Sequence, residues 1–201
     1  MRKKNFIIYV IICIVRVALF FWHPVFRVIG RENYPNSGRL MICANHRGIA
    51  DAIWIVFALK SKYIPRIMAK QEAMRIPVLG WLIKQLGVFG VDRGGTDIQA
   101  IKTGLRCLND EQQLMVFPEG TRVKPGKTVS PKRGAVTLAA RTDTPILPVY
   151  LSVKRYPFSP ITCIIGKPYK LEYEGRRATD EELNCFSDEL MKKIYALGEQ
   201  E

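Results

Sequence analysis

The sequence predicts an α/β domain in which a mixed, largely parallel central sheet is flanked by helices, preceded by an N-terminal membrane-associated helix. Three observations carry this. From residue 25 onward, short β-branched runs alternate with segments of helical periodicity, as in strands joined through helices. Hydrophobic residues make up 48% of the 201 positions and charged residues 24%, enough for one buried core and too apolar for a disordered or collagen-like chain. The first two dozen residues differ in kind, running almost continuously apolar behind a basic start. This length accommodates one catalytic-sized domain with an appendage, divided here into residues 1–24 and 25–201. Neither internal repeats nor low-complexity stretches suggest otherwise.

Arg2, Lys3 and Lys4 open the chain. An apolar run from Phe6 to Val15 then meets Arg16 and continues to Trp22, and Pro24 ends any helix. The uninterrupted run is shorter than the roughly 20 residues that span a bilayer. Carrying it through Arg16 places a charge mid-helix, which costs about 2.5 to 3.5 kcal/mol on insertion scales. At about 100° per residue, Asn5, Tyr9, Arg16 and His23 share one narrow stripe, with Cys13 beside it. A helix lying in the interface, its polar stripe toward water or the domain, avoids that cost. A spanning anchor and a helix packed on the core are the alternatives. No small-x-small cleavage site follows the run, which argues against a cleaved signal peptide.

Strands are expected at Val25 to Ile29, Leu40 to Cys43, Pro65 to Met68, Val88 to Val91, Gln113 to Phe117, Ile146 to Val153 and Thr162 to Ile165. Each is a short apolar or β-branched run. Between them Asp51 to Leu59, Val78 to Leu86, Asp97 to Leu108 and Gly134 to Arg141 have helical periodicity, and Thr179 to Leu197 closes the chain as a longer amphipathic helix. The prolines in Thr144-Pro145-Ile146-Leu147-Pro148-Val149 point to an edge or bulged strand, because proline donates nothing to a ladder. Functional residues in such folds collect on loops at the carboxyl ends of strands.

The 31 Lys and Arg outnumber the 18 Asp and Glu, giving a formal charge of +13. That charge is uneven: residues 1–171 carry +18 and residues 172–201 carry −5. Such a field favours an anionic partner, whether nucleic acid, a phosphorylated substrate or an acidic lipid surface. Five scattered cysteines without a Cys-x-x-Cys spacing argue against a disulfide framework or zinc knuckle, and the domain is expected to face a reducing compartment. With only His23 and His46, no His-rich metal site is expected.

At Asn45-His46-Arg47-Gly48-Ile49-Ala50-Asp51 a strand ends and a helix begins. A spacing of five puts His46 and Asp51 on different faces of one helix, so they meet only if His46 precedes it. Asp51 would then orient one ring nitrogen and leave the other as a general base. The plainer alternative is an Asp that complements the helix amino terminus beside a loop histidine. Past another strand, Phe117-Pro118-Glu119-Gly120-Thr121-Arg122 sets an acid, a hydroxyl and a guanidinium in a Pro/Gly turn, followed by Lys124, Lys127, Lys132 and Arg133. Guanidinium suits bidentate recognition of phosphate or carboxylate. A solvated basic loop is the plainer alternative. Gly120 to Thr128 imitates a nucleotide phosphate-binding loop, but its glycine spacing is one residue too long, Pro125 fills the second glycine's place and Pro131 follows. Gly87-Val88-Phe89-Gly90-Val91-Asp92-Arg93 ends a strand in an arginine, for which a surface pair with Asp92 is the alternative.

The order and spacing of these four blocks resemble the glycerolipid acyltransferase family, the group containing bacterial 1-acyl-glycerol-3-phosphate acyltransferases. The resemblance spans about residues 25 to 170 and is most specific at Phe117 to Arg122. It implies that His46 and Asp51 are the catalytic dyad. It also implies that Arg93 is the arginine of the second block, and that Glu119, Gly120, Thr121 and Arg122 form the acceptor-binding loop. Pro145 and Pro148 fall in the block linked to the acyl donor, and Lys70 is similar to a lysine that joins the phosphate site. Val123, where many members carry Ser, and Gly48, where a larger or hydroxylated residue is common, depart from the family pattern.

The chemistry stands on its own terms. Acyl transfer from a thioester to an alcohol needs a base for the hydroxyl proton, while a thiol leaving group of pKa about 8.5 departs with little acid help. No Gly-x-Ser-x-Gly nucleophile elbow occurs, and Cys43 reads as a buried strand residue rather than a nucleophile. The resemblance therefore implies an O-acyltransferase that moves a fatty acyl group to the free hydroxyl of lysophosphatidic acid, without metal or cofactor. Acyl-CoA or acyl carrier protein would be the co-substrate. Membrane lipids are the expected partners and nucleic acid is not, the protein sitting on the cytoplasmic face of a membrane. Glycerol-3-phosphate, another lysophospholipid or an aminolipid is the alternative acceptor, and a non-catalytic anionic-lipid or nucleic-acid binder is the alternative class.

Overall fold

The computed structural model describes residues 2–3, 10, 13–14, 17, 20–21, 23–61, 63–75, 77, 83, 87–91, 98–124, 126–152 and 158–199. In chain order the strands are β1 (Arg2–Lys3), β2 (Phe26–Ile29), β3 (Leu40–Ala44), β4 (Tyr63–Ile64), β5 (Arg66–Lys70), β6 (Val88–Val91), β7 (Gln113–Val116), β8 (Ile146–Leu151) and β9 (Ile161–Ile165). The helices are α1 (Asp51–Leu59), α2 (Ile98–Asn109), α3 (Gly134–Arg141) and α4 (Asp180–Gly198). Of the helix expected at 78–86, Ile83 alone is among the described residues and is helical; the rest lies outside them.

Seven strands form one sheet in the order β2-β9-β8-β3-β7-β5-β6. All neighbours are parallel except β8 and β9, which run antiparallel. The carboxyl ends of β3, β5, β6, β7 and β8 therefore share one edge. Side chains of β3 alternate between two cores with the strand period of two. Leu40, Ile42 and Ala44 face Trp54, Ile55, Ala58 and Leu59 of α1. Met41 and Cys43 face the opposite layer, where α2, α3 and α4 contribute Leu108, Ala135, Leu138, Leu190 and Ile194. Helices on both faces bury the sheet, which is why its strands read as apolar runs. The last helix starts at a capping box: Glu182 N–H donates to Thr179 Oγ1 at 3.2 Å and Thr179 N–H to Glu182 Oε2 at 2.7 Å.

Two expectations are corrected. The proline-containing strand β8 is neither an edge nor bulged, since it lies between β9 and β3. Its register pairs Val149 with Ile165, so Pro148 falls opposite Gly166, where β9 has already ended, and its carbonyl still accepts from Gly166 N–H at 2.9 Å. At the amino terminus, Arg2 and Lys3 are extended rather than helical, pairing antiparallel with Ile64 and Tyr63, whose backbone edge offers them partners. Beyond them Val10, Cys13, Ile14, Val17, Phe20 and Phe21 are helical and exposed. No helix among the described residues is long and apolar enough to cross a membrane. His23 turns inward: its ring donates from Nδ1 to the Ser159 carbonyl at 2.9 Å and meets Trp54 edge-on.

Candidate active site

The turn after β3 is fixed from both sides. Asn45, buried, donates from Nδ2 to the Leu151 carbonyl at 3.0 Å and accepts from Leu151 N–H at 2.8 Å, which ties the turn to the end of β8. On the other side, the parallel register of β3 and β7 places Cys43 opposite Val116. Three residues further along each strand, His46 N–H donates to Glu119 Oε2 at 2.7 Å. The His46 carbonyl accepts from Val123 N–H at 2.9 Å, so the 117–123 loop grips that residue at both ends. Val123 is itself buried, and holds the turn through its backbone.

His46 precedes α1 and Asp51 is the helix's first residue, an arrangement that lets them meet. Nδ1 of His46 lies 2.9 Å from Asp51 Oδ2. The same oxygen accepts from the backbone N–H groups of Arg47 at 2.6 Å and Gly48 at 2.7 Å. Asp51 is only 2% exposed, and three donors hold it in one rotamer. A side chain at position 48 would begin 3.0 Å from Asp51 Oδ1, so glycine leaves the carboxylate room. The neutral imidazole donates from Nδ1, leaving Nε2 as the basic nitrogen. The ring stacks on Phe117, with centroids 4.1 Å apart and planes 19° from parallel, which fixes its tilt.

Residues 119–122, expected as the acceptor loop, divide between inside and outside. Glu119 is 3% exposed and faces the His46 turn, with Oε2 on His46 and Oε1 accepting from the Tyr195 hydroxyl. Gly120 adopts φ +66°, a conformation that favours glycine, and its N–H closes the turn onto the Phe117 carbonyl at 2.9 Å. Thr121 and Arg122 are exposed. Lys70 ends β5 on the same sheet edge, its backbone in register with Val91, while Arg93 lies outside the described residues. Pro145 and Pro148 are not at this edge. The Pro145 carbonyl accepts from Met41 N–H at the amino end of the strands, and Pro148 is buried beside Cys43. Burial of Cys43 pushes its thiol far above the usual range, which removes it as a nucleophile.

Sequence reasoning did not single out Tyr195, and named Arg47 and Phe117 only as members of their blocks, without a role. Arg47 donates from Nη2 to the Tyr195 hydroxyl at 3.3 Å, with its guanidinium 5.6 Å from the centre of that ring. The amphipathic pattern of α4 put Tyr195 at the border of its buried face, four residues past Met191, but did not specify the partner of its hydroxyl. A cavity of about 640 Å³ lies behind the loop. Met68, Ala100, Ile101 and Leu138 form its apolar wall, and Glu119, Gly120, Thr121, Lys132 and Arg133 also line it. Among the described residues no group of three His, Cys, Asp or Glu side chains is placed to hold a metal ion.

Residues 25–152 match the acyltransferase family. The chain is similar to the 1-acyl-sn-glycerol-3-phosphate acyltransferase of Borreliella burgdorferi, at 31% identity over 130 residues that take in 62% of this chain and 50% of that one. It is also similar to the Bacillus subtilis protein of the same name, at 27% identity over 176 residues covering 85% and 87%. Among solved structures, the crystal structure of the 1-acyl-sn-glycerophosphate acyltransferase PlsC from Thermotoga maritima superposes with a TM-score of 0.70 at 25% identity, covering 92% of this chain and 76% of that one. The chain spans half or less of the length of the first curated relatives it matches.

Proposed function

From the premise that this chain belongs to the acyltransferase family, we propose that it transfers a fatty acyl group to the free hydroxyl of 1-acyl-sn-glycerol-3-phosphate. The product is phosphatidic acid, for phospholipid synthesis, and the donor is acyl-CoA or acyl carrier protein. The observation that carries this reading is His46 Nδ1 held 2.9 Å from a buried, threefold-bonded Asp51 at the carboxyl edge of the sheet.

His46 Nε2 removes the acceptor's hydroxyl proton as the oxygen attacks the thioester carbonyl, and Asp51 stabilises the resulting imidazolium. The tetrahedral intermediate collapses, the carbon–sulfur bond breaks, and the departing thiolate takes the proton from His46. Direct attack requires both substrates to be held together, so proximity supplies much of the acceleration. Arg122, Arg93 and Lys70 hold the acceptor's phosphate, with Gly120 and Thr121 shaping the cavity beside it. Glu119 serves from behind by fixing the catalytic turn. The cavity, within the usual size of small-molecule sites of about 300 to 1,000 Å³, takes an acyl chain along its apolar wall.

Residues 1–24 keep the protein on the cytoplasmic leaflet, with Val10, Ile14, Val17, Phe20 and Phe21 entering the apolar boundary, while residues 25–201 form the catalytic domain. The test is detergent-solubilised protein offered a panel of acceptors with each donor type. His46→Ala should abolish turnover on lysophosphatidic acid. Near-normal turnover in that variant, or an acyl-enzyme trapped on the protein, defeats the mechanism. Preference for glycerol-3-phosphate, another lysophospholipid or an aminolipid would replace the acceptor.

A further inference from the structure

We propose that Tyr195, on the last helix, is a positioning residue for the catalytic turn and acts through Glu119. The span that carries the family ends at residue 152, so this role belongs to a part of the chain that the family match does not reach. Four groups close a ring. His46 N–H donates to Glu119 Oε2, the Tyr195 hydroxyl donates to Glu119 Oε1, and Arg47, the residue after His46, donates to the Tyr195 oxygen. Because Arg47 supplies a proton to that oxygen, the hydroxyl's own proton is directed at Glu119. The ring therefore runs from the catalytic turn to α4 and back to the amide of the catalytic histidine.

Burial makes the contact consequential. Glu119 is 3% exposed, and a carboxylate that loses one of its donors there must reorient or draw in another. Either movement pulls on His46, whose carbonyl is tied to the same loop through Val123. Asp51 fixes the His46 ring, whereas Glu119 fixes its backbone, and only with both does Nε2 have a single position. Burial first, and then the bond to Glu119, push the Tyr195 phenol up to about 12, so it keeps its proton across the working pH range. The ring of Tyr195 is independently supported, meeting Tyr150 edge-on with centroids 6.3 Å apart. At the end of α4 a side chain on Gly198 would start 2.4 Å from the Tyr150 ring, so this corner of the helix is closely seated.

The prediction rests on the acyl-transfer reading for its assay and is separable from it. Tyr195→Phe keeps the ring packing and removes only the hydroxyl. It should lower kcat about tenfold, with both substrate KM values and the melting temperature little changed. Adding Tyr195→Phe to Glu119→Gln should cost less than about twofold more, because the second partner is already altered. Tyr173→Phe, whose hydroxyl donates to the Ala140 carbonyl at 3.1 Å away from the site, serves as the control and should leave kcat unchanged. Independent multiplication of the two losses, a matched fall in the control, or unchanged kcat in Tyr195→Phe while His46→Ala is inactive would each overturn the positioning role. If Tyr195→Phe melts early, the melting temperatures of the same double-mutant cycle decide: coupling to Glu119 must appear there, and additivity overturns the proposal. Activity retained by His46→Ala would instead strike the catalytic reading.

Discussion

Asp51→Asn isolates what the negative charge beside His46 contributes. All three hydrogen bonds to this side chain go to one oxygen, Oδ2, from His46 Nδ1, Arg47 N and Gly48 N. An amide oxygen can accept all three, so the turn should stay formed and the imidazole should keep its tilt against Phe117. The charge is what disappears. At the observed 2.9 Å, unit charges attract by about 6 kcal/mol at an effective dielectric constant of about 20. The amide dipole retains part of that attraction, leaving a rise in barrier of about 3 to 5 kcal/mol, or roughly 10² to 10⁴ in kcat. Initial rates of thiol release at saturating acceptor and donor measure it. Both KM values should move little, and the melting temperature should stay within a few degrees, because burying a neutral amide avoids the cost of burying a charge. A fall in kcat below tenfold would refute the electrostatic argument, as would a rise in KM that accounts for the whole loss in kcat/KM.

Arg122→Ala, at an exposed position next to Thr121, should raise the acceptor's KM by about 10- to 100-fold, since charge-assisted bonds are worth about 1.5 to 3 kcal/mol. A change in donor KM alone would reassign it. Ala100→Phe, adding bulk to the cavity wall, should lower kcat/KM for long acyl chains far more than for short ones, and a uniform loss across chain lengths would dissociate the cavity from the chain. Phe20→Asp with Phe21→Asp should weaken sedimentation with anionic vesicles by more than about tenfold, as burial of a phenylalanine contributes about 1.5 to 3 kcal/mol; unchanged binding would place the membrane contact elsewhere. The Thr179 backbone N–H holds the Glu182 carboxyl below its ordinary value of 4.5. Its stabilisation is thus full above that value and lost as pH falls through the lowered one. The melting difference between wild type and Glu182→Gln should therefore close on acidification below 4.5, and a gap that persists would exclude this carboxylate as its source.

Composition and periodicity alone determined the α/β class and nearly every described element. Helices at Asp51–Leu59 and Gly134–Arg141 fall on the expected residues, because each is bounded by local signals that need no tertiary partner: an acid at the helix start, a glycine, an apolar face. The blocks around His46 and Phe117–Arg122 were legible for the same reason, each being a strand end followed by a turn. Tertiary structure alone decided which blocks meet. The register that sets Cys43 beside Val116 brings His46 to Glu119, and no local pattern encodes a register between strands some 70 residues apart. Nor could periodicity foresee that Glu119 is buried with one carboxylate oxygen on the His46 amide, or that a tyrosine near the end of α4 supplies its second donor. It misjudged β8 for a related reason. Proline can enter an inner strand at the margin of a ladder, and only the β8–β9 register shows that Pro148 sits one residue before that ladder's last pair, Val149 with Ile165.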